Sequence, residues 1–251
     1  MSLSYSNPSL QRIRSGEAVS CVWLSLGSVA LAEIAAECAP DMIVFDAQHG
    51  LWERTTLHAA VLAVRDASTP VVRVGANNSH LIGEALDSGA FGVIVPLIED
   101  GSQAAAAVAA AHYPPRGHRS GGGVRPLANF PDYINACATD VMVSVMIETK
   151  LGLANAEEII ATPGIDLVFI GSGDLALSLG TGSADDLEGA IQQIFQLCRA
   201  KAVPCGIFTP TAEIAHARLS EGFAFVVAED DIRLARNGMA RSLSAVRKEV
   251  K

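Results

Sequence analysis

A closed (β/α)8 barrel is the fold this sequence predicts, and three observations carry the prediction. Short apolar runs recur along the whole chain, helical stretches alternate with them, and 251 residues is the length of one such barrel. The runs cover residues 21–24, 42–45, 71–74, 92–95, 141–147, 167–170, 203–208 and 223–227. They are too short for helices, rich in β-branched residues and apolar almost without a break. Strands that do not alternate apolar with polar residues are buried on both faces, as in a parallel sheet covered by helices. Eight such units close into a TIM barrel, with a doubly wound open sheet as the alternative.

The intervening stretches 29–37, 57–67, 80–88, 103–112, 156–160, 187–202 and 212–220 have helical periodicity or are rich in alanine. A last helix is expected over 232–250, with Leu234, Met239, Leu243 and Val246 roughly on one side, a face that must be buried against its own barrel or a neighbour's. The segment from Tyr113 to Phe130, with three arginines and a Gly triplet, reads as an active-site or interface loop. No linker or charge block divides residues 1–251, so one domain is expected.

Half the residues are hydrophobic and 18% are charged, which implies a large core. A net charge of −9 argues against nucleic-acid binding, since no basic patch offsets the repulsion from phosphates. Cys21, Cys38, Cys137, Cys198 and Cys205 are odd in number, irregularly spaced and mostly within apolar runs, so they read as reduced core residues of a cytoplasmic protein. The first residues lack a charged and then apolar leader, and no run reaches the roughly 20 apolar residues of a membrane span.

In a barrel, chemistry belongs where strands end and βα loops begin. Five polar residues fall there: Asp46 and His49, Arg73, Glu148 and Asp174. The separation of Glu148 from Asp174 suits one strand–helix–strand unit of about 30 residues, so both carboxylates can emerge at the same end of adjacent strands. Two hard oxygen ligands with no Cys or His beside them suit Mg²⁺ or Mn²⁺ with positions left for substrate.

Asp46, three residues before His49, can bond the imidazole and raise its basicity for general-base work. The same spacing also permits a helix-capping Asp46 and a plain loop histidine. Arg73 lies in an otherwise apolar strand, where an unpaired guanidinium is costly, so it must meet an anion or a carboxylate. The stretch Gly171-Ser172-Gly173-Asp174 precedes a helix opening at Leu175, whose amides can take a carboxylate, although taken alone it reads first as a plain tight turn. Trp23 is placed to wall the pocket or to fill the core. The other histidines form no ligand spacing, and neither a phosphate loop nor a Gly-x-Ser-x-Gly elbow is present. No lysine lies inside a strand run to form a Schiff base.

Several pieces together resemble the HpcH/HpaI aldolases, a family of metal-dependent class II pyruvate aldolases. They are Phe45-Asp46-Ala47-Gln48-His49, Pro70-Val71-Val72-Arg73-Val74, Tyr113-Pro114-Pro115-Arg116-Gly117, Ile147-Glu148-Thr149 and the run from Val168 to Leu175. The resemblance implies a divalent cofactor (Mg²⁺, Mn²⁺ or Co²⁺) on Glu148 and Asp174, chelated by a 2-oxo acid. It implies His49, with Asp46, as the base acting through a metal-bound water on a substrate 4-hydroxyl, and Arg73 stabilising the pyruvate enolate after the aldehyde leaves. The amides near Gly173 and Asp174 are the implied carboxylate site, Asp87 matches a position that reaches a neighbour's site, and Trp23, Gln48 and Ser172 complete the candidate substrate contacts. It also implies a homo-hexamer, a trimer of dimers, with the final helix exchanged between subunits.

The chain departs from the family pattern at Gln48, where Glu is usual, in the loop after Arg119, and at Gly171-Ser172-Gly173, where Gly-Pro-Ala is common. These departures leave room for an oxaloacetate-type decarboxylase, and Gln48 for a barrel that binds 2-oxo acids without turnover; an acyl-CoA ester lyase, the other alternative, calls for a basic groove that this acidic sequence does not show.

Overall fold

The computed structural model describes residues 5–180 and 183–249. Eight parallel strands form a closed barrel in chain order: β1 (Val19–Leu24), β2 (Met42–Asp46), β3 (Thr69–Arg73), β4 (Gly92–Val95), β5 (Met142–Ile147), β6 (Leu167–Ile170), β7 (Cys205–Ile207) and β8 (Phe225–Asp230). The ring closes where Val19 of β1 pairs with Phe225 of β8, and a register shift follows between Cys21 and Val22. Around and between the strands run α1 (Pro8–Arg14), α2 (Val29–Glu37), α3 (Arg54–Val64), α4 (Ser79–Asp87), α5 (Gly101–Ala111), α6 (Val124–Asn129), α7 (Tyr133–Asp140), α8 (Lys150–Ala154) and α9 (Ala156–Ile160). The last helices are α10 (Ser172–Leu179), α11 (Ala184–Ala200), α12 (Ala212–Glu221) and α13 (Asp231–Glu249).

The open-sheet alternative is thereby set aside, and the physical reason lies in the strands themselves. Six of the eight are buried at every residue, because barrel interior and helix layer cover both faces. Inside the barrel Trp23 stacks on Phe169 at 5.8 Å between centroids, and Phe169 meets Phe225 at 5.3 Å. Burying each such aromatic contributes roughly 1.5–3 kcal/mol. Helix starts are fixed by side-chain caps: Ser28 accepts from the amide of Leu31, Asn78 from that of His80, Asp100 from that of Gln103.

The sequence-based reading missed α1. Asn7 caps it, Pro8 opens it, and Leu10 and Ile13 insert into the barrel's inner cluster, closing the end away from the strand C-termini. The 113–130 segment is not wholly irregular, since α6 occupies its end, and α7 follows with Tyr133 buried. Helices of six and eight residues are too short to show a clear period. Cys38 is exposed, contrary to its assignment to the core, whereas Cys21, Cys137, Cys198 and Cys205 are buried and unpaired. Among the described residues no helix is long and apolar enough to cross a membrane.

The final helix runs as expected, with Val250 outside the described residues. Its apolar side is not covered by its own barrel: Met239 and Val246 are 65% and 63% exposed, and Leu234 and Leu243 are exposed as well.

Candidate active site

The polar strand ends do gather at one mouth. Asp46 ends β2 and Arg73 ends β3, and the two are register partners on neighbouring strands. Both point into the same space, so the guanidinium meets the carboxylate two-pronged, with Nε donating to Oδ1 at 2.9 Å and Nη2 to Oδ2 at 2.5 Å. Both side chains are buried, which makes this a desolvated ion pair. Burial alone would raise the Asp46 pKa, but the bonds and charge of Arg73, with the amides of His49 and Gln48, hold it below the usual carboxylate value.

One expectation is corrected here. Asp46 takes the backbone amide of His49, at 3.1 Å, and not its imidazole. Arg73 and the amides of Gln48 and His49 engage its oxygens, with Ser25 Oγ at 3.4 Å, and the His49 ring is exposed above the mouth. Trp23 serves both roles the sequence allowed. It is buried in the inner cluster, lies 5.0 Å beneath the Arg73 guanidinium and walls the cavity. That cavity, of about 370 Å³, also presents Ser25, Asp46, His49, Arg73 and Phe208.

Glu148 follows β5 and is fully buried. Its Oε1 accepts the amide of Leu97 at 2.8 Å, while Oε2 has no hydrogen-bond partner among the described residues. Burial pushes its pKa up; the Leu97 amide pulls it down, the adjacent Asp174 carboxylate raises it again, and Arg73 opposes the rise, leaving it at about 7. Asp174 sits in the first turn of α10, which starts at Ser172, earlier than the sequence suggested.

Gly171, directly before that helix, is required for room. A Cβ there would stand 2.5 Å from Glu148 Oε2 and 2.8 Å from Met146 Cε. A buried carboxylate oxygen lacking a partner, a second carboxylate beside it, and a residue without a side chain next to both form a fitting place for a cation.

The other expected contacts divide. Ser172 Oγ donates to the carbonyl of Phe208 at 2.8 Å and so ties α10 to the loop after β7. Gly173 faces open space, and no side chain caps the start of α10. The Gln48 amide lies partly buried with Oε1 unpartnered. Asp87 ends α4, so within one chain it lies at the other end of the barrel from the mouth. There it is held by Arg119 at 2.7 Å, itself bonded to the Tyr133 hydroxyl at 2.9 Å.

Two parts of the site were missed. Leu97 adopts a left-handed φ of 56°, which aims its amide at Glu148; a leucine carries no signal for that. Asp231 is buried and takes the amides of Ser25 and Leu26. The run Glu229-Asp230-Asp231 at the end of β8 was a polar strand end of the kind that marked the others.

Paired acids, a clamped arginine and a histidine on the C-terminal rim of a parallel barrel define an enzyme. The sequence profile of the HpcH/HpaI aldolase/citrate lyase family matches residues 19–237, from β1 into α13. A 5-keto-4-deoxy-D-glucarate aldolase of Salmonella arizonae is 35% identical over 234 residues, covering 90% of this chain and 91% of that protein. A solved HpcH/HpaI aldolase/citrate lyase family protein from Burkholderia cenocepacia J2315 superposes with a TM-score of 0.91, at 32% identity over 96% of this chain and 100% of that one. The citrate synthase SbnG superposes at 0.86, with 26% identity over 96% and 97% of the two chains. The chain belongs to the HpcH/HpaI aldolase/citrate lyase family. It is a carbon–carbon lyase of the aldolase kind.

Proposed function

We propose that this enzyme cleaves a 4-hydroxy-2-oxo acid reversibly into pyruvate and an aldehyde, with a divalent ion (Mg²⁺, Mn²⁺ or Co²⁺) held by Glu148 and Asp174. The carrying observation is the buried Oε2 of Glu148, left without a partner among the described residues, beside the Asp174 carboxylate and near enough to Arg73 to feel its charge. When bound, the ion supplies Lewis acidity toward the keto and carboxylate oxygens of the substrate.

The chain's own residues supply the rest. His49, exposed over the cavity, takes the proton from the 4-hydroxyl, directly or through a water. As the C4–O bond becomes a carbonyl, the C3–C4 electron pair moves toward the keto group, and C3 is later protonated to give pyruvate. Arg73, fixed by Asp46, stands ready for the negative charge that gathers on the keto oxygen. The uncapped amides of Gly173 and Asp174 receive the substrate carboxylate, with Ser172 anchoring their helix. Trp23 forms the apolar wall, and Gln48 keeps a buried Oε1 without a partner among the described residues.

The bare side of α13 supports a homo-hexamer in which this helix is exchanged, and Asp87 then serves a neighbour's site. The unpaired cysteines fit a reducing, cytoplasmic setting.

The test is pyruvate release by metal-reconstituted protein across a panel of 4-hydroxy-2-oxo acids, with Glu148→Ala and His49→Ala alongside. Wild type that releases no more pyruvate than Glu148→Ala on every substrate would overturn the assignment.

A further inference from the structure

Ser25, the first residue after β1, joins three parts of the catalytic rim. Its hydroxyl donates to Asp46 Oδ2 at 3.4 Å. Its carbonyl accepts the amide of Leu51, two residues beyond His49, at 2.7 Å. Its own amide donates to the two oxygens of Asp231, at 3.0 Å each. The loop that carries His49 is therefore pinned at its far end to the end of β1, and Trp52 repeats the tie by donating from Nε1 to the carbonyl of Leu24 at 2.7 Å. Little slack remains between the two loops. A Cβ at Gly50 would stand 2.9 Å from the carbonyl oxygen of Ser25 and 2.2 Å from that of Asp46.

The end of β1 is held in turn by Asp231, which opens α13 and is 2% exposed. Besides Ser25 it takes the amide of Leu26, at 2.8 Å. Among the described residues no cation pairs with it, and Arg233, two positions on, goes to Glu229 and Asp230 instead. A buried charge is thus given over to backbone amides, whose bonds to a carboxylate are roughly twice as strong as neutral ones. Asp231 does not line the cavity, so it reaches the reaction only through what it holds.

We infer that Asp231 is a positioning residue for the cleavage reaction: through the backbone of Ser25 it fixes the loop of His49, and with it the base, over the substrate. This rests on the reading of His49 as the base and adds the group that sets its place.

The test is a double-mutant cycle on full-length, metal-reconstituted protein, with the 4-hydroxy-2-oxo acid that wild type cleaves fastest. Asp231→Ala and His49→Ala are made singly and together, and Asp231→Asn, which keeps one acceptor, stands beside them. Asp231→Ala is expected to lower kcat by about 10–100-fold, since a displacement of about 1 Å arising far from the chemistry can cost the larger figure. KM should stay within about threefold, as for an interaction felt in the transition state. Mg²⁺ affinity should hold as well, because Glu148 and Asp174 follow β5 and β6, across the ring from β1 and β2. Asp231→Asn should fall between Asp231→Ala and wild type. In the His49→Ala background the same substitution should slow the reaction by less than about twofold, because an absent base cannot be misplaced. The number of Mg²⁺ sites found by calorimetry gives the folded fraction, and Asp231→Asn carries the cycle if Asp231→Ala does not fold.

Equal losses of kcat in both backgrounds overturn the inference, as does a wild-type kcat in Asp231→Ala. Failure of both Asp231 variants to fold overturns it too, since the contact would then serve stability. His49→Ala as fast as wild type discards the base and this inference with it. A slow His49→Ala combined with equal losses discards the inference alone and leaves the base standing.

Discussion

Arg73 and Asp46 stand opposite each other at the ends of β3 and β2, joined by two hydrogen bonds of 2.9 and 2.5 Å with both groups out of solvent. Each is the other's only balancing charge of opposite sign within that contact. Removing one leaves a buried ion, a loss of about 3–5 kcal/mol. Asp46→Ala is therefore expected to unfold at markedly lower urea than wild type. Arg73→Lys keeps the charge but loses the fork, and should lower kcat by about 10²–10³-fold, the scale for removing one donor to a developing oxyanion.

His49 offers the opposite combination. It is exposed and its ring donates no bond to Asp46, so His49→Ala should leave the unfolding midpoint within the roughly 0.5 kcal/mol typical of surface changes. Its kcat should fall by at least about 10²-fold, the low end for losing a general base. A large loss of stability in this variant would show that the ring is a packing residue.

Glu148 makes the metal-free protein sensitive to pH. Its folded-state pKa of about 7 lies above the ordinary 4.5, so between these values the folded chain binds more protons than the unfolded one. The Glu148 contribution is present below about pH 4.5 and is lost as pH rises through about 7. Urea titrations of metal-free wild type should show a decline over this window, of the order of 1–3 kcal/mol, that Glu148→Gln lacks. Cation binding requires the carboxylate form, so Mg²⁺ affinity should climb with pH up to about 7 and then level off.

Gly171→Ala tests the space beside those carboxylates. The new methyl would stand 2.5 Å from Glu148 Oε2, so either the carboxylate or the start of α10 must move. Metal affinity should drop by about 10–100-fold, the range seen when ligand orientation is disturbed, and calorimetry with Mg²⁺ reads it directly.

The uncovered side of α13 predicts assembly through that helix. Met239→Asp together with Leu243→Asp should produce a smaller species on size-exclusion chromatography while the far-ultraviolet spectrum keeps its shape. An unchanged elution volume would place the subunit contacts elsewhere.

The barrel and its rim were legible in the sequence because both follow from local pattern. Unbroken apolar runs such as the one that ends in Asp46 in β2 specify strands buried on two faces, and a polar residue that ends such a run lands at the mouth whatever the loops do. Asp46, Arg73, Glu148 and Asp174 could be named on that ground alone. Their partners could not. Asp46 bonds Arg73 because parallel register sets the ends of β2 and β3 side by side, and sequence proximity to His49 competes poorly with a guanidinium held in place by the sheet. The amide of Leu97 reaches Glu148 through a left-handed turn, and Asp231 ties α13 to the end of β1. Such pairings join residues brought together by barrel closure, and only the closed barrel decides which charges neutralise each other and which are left for a ligand.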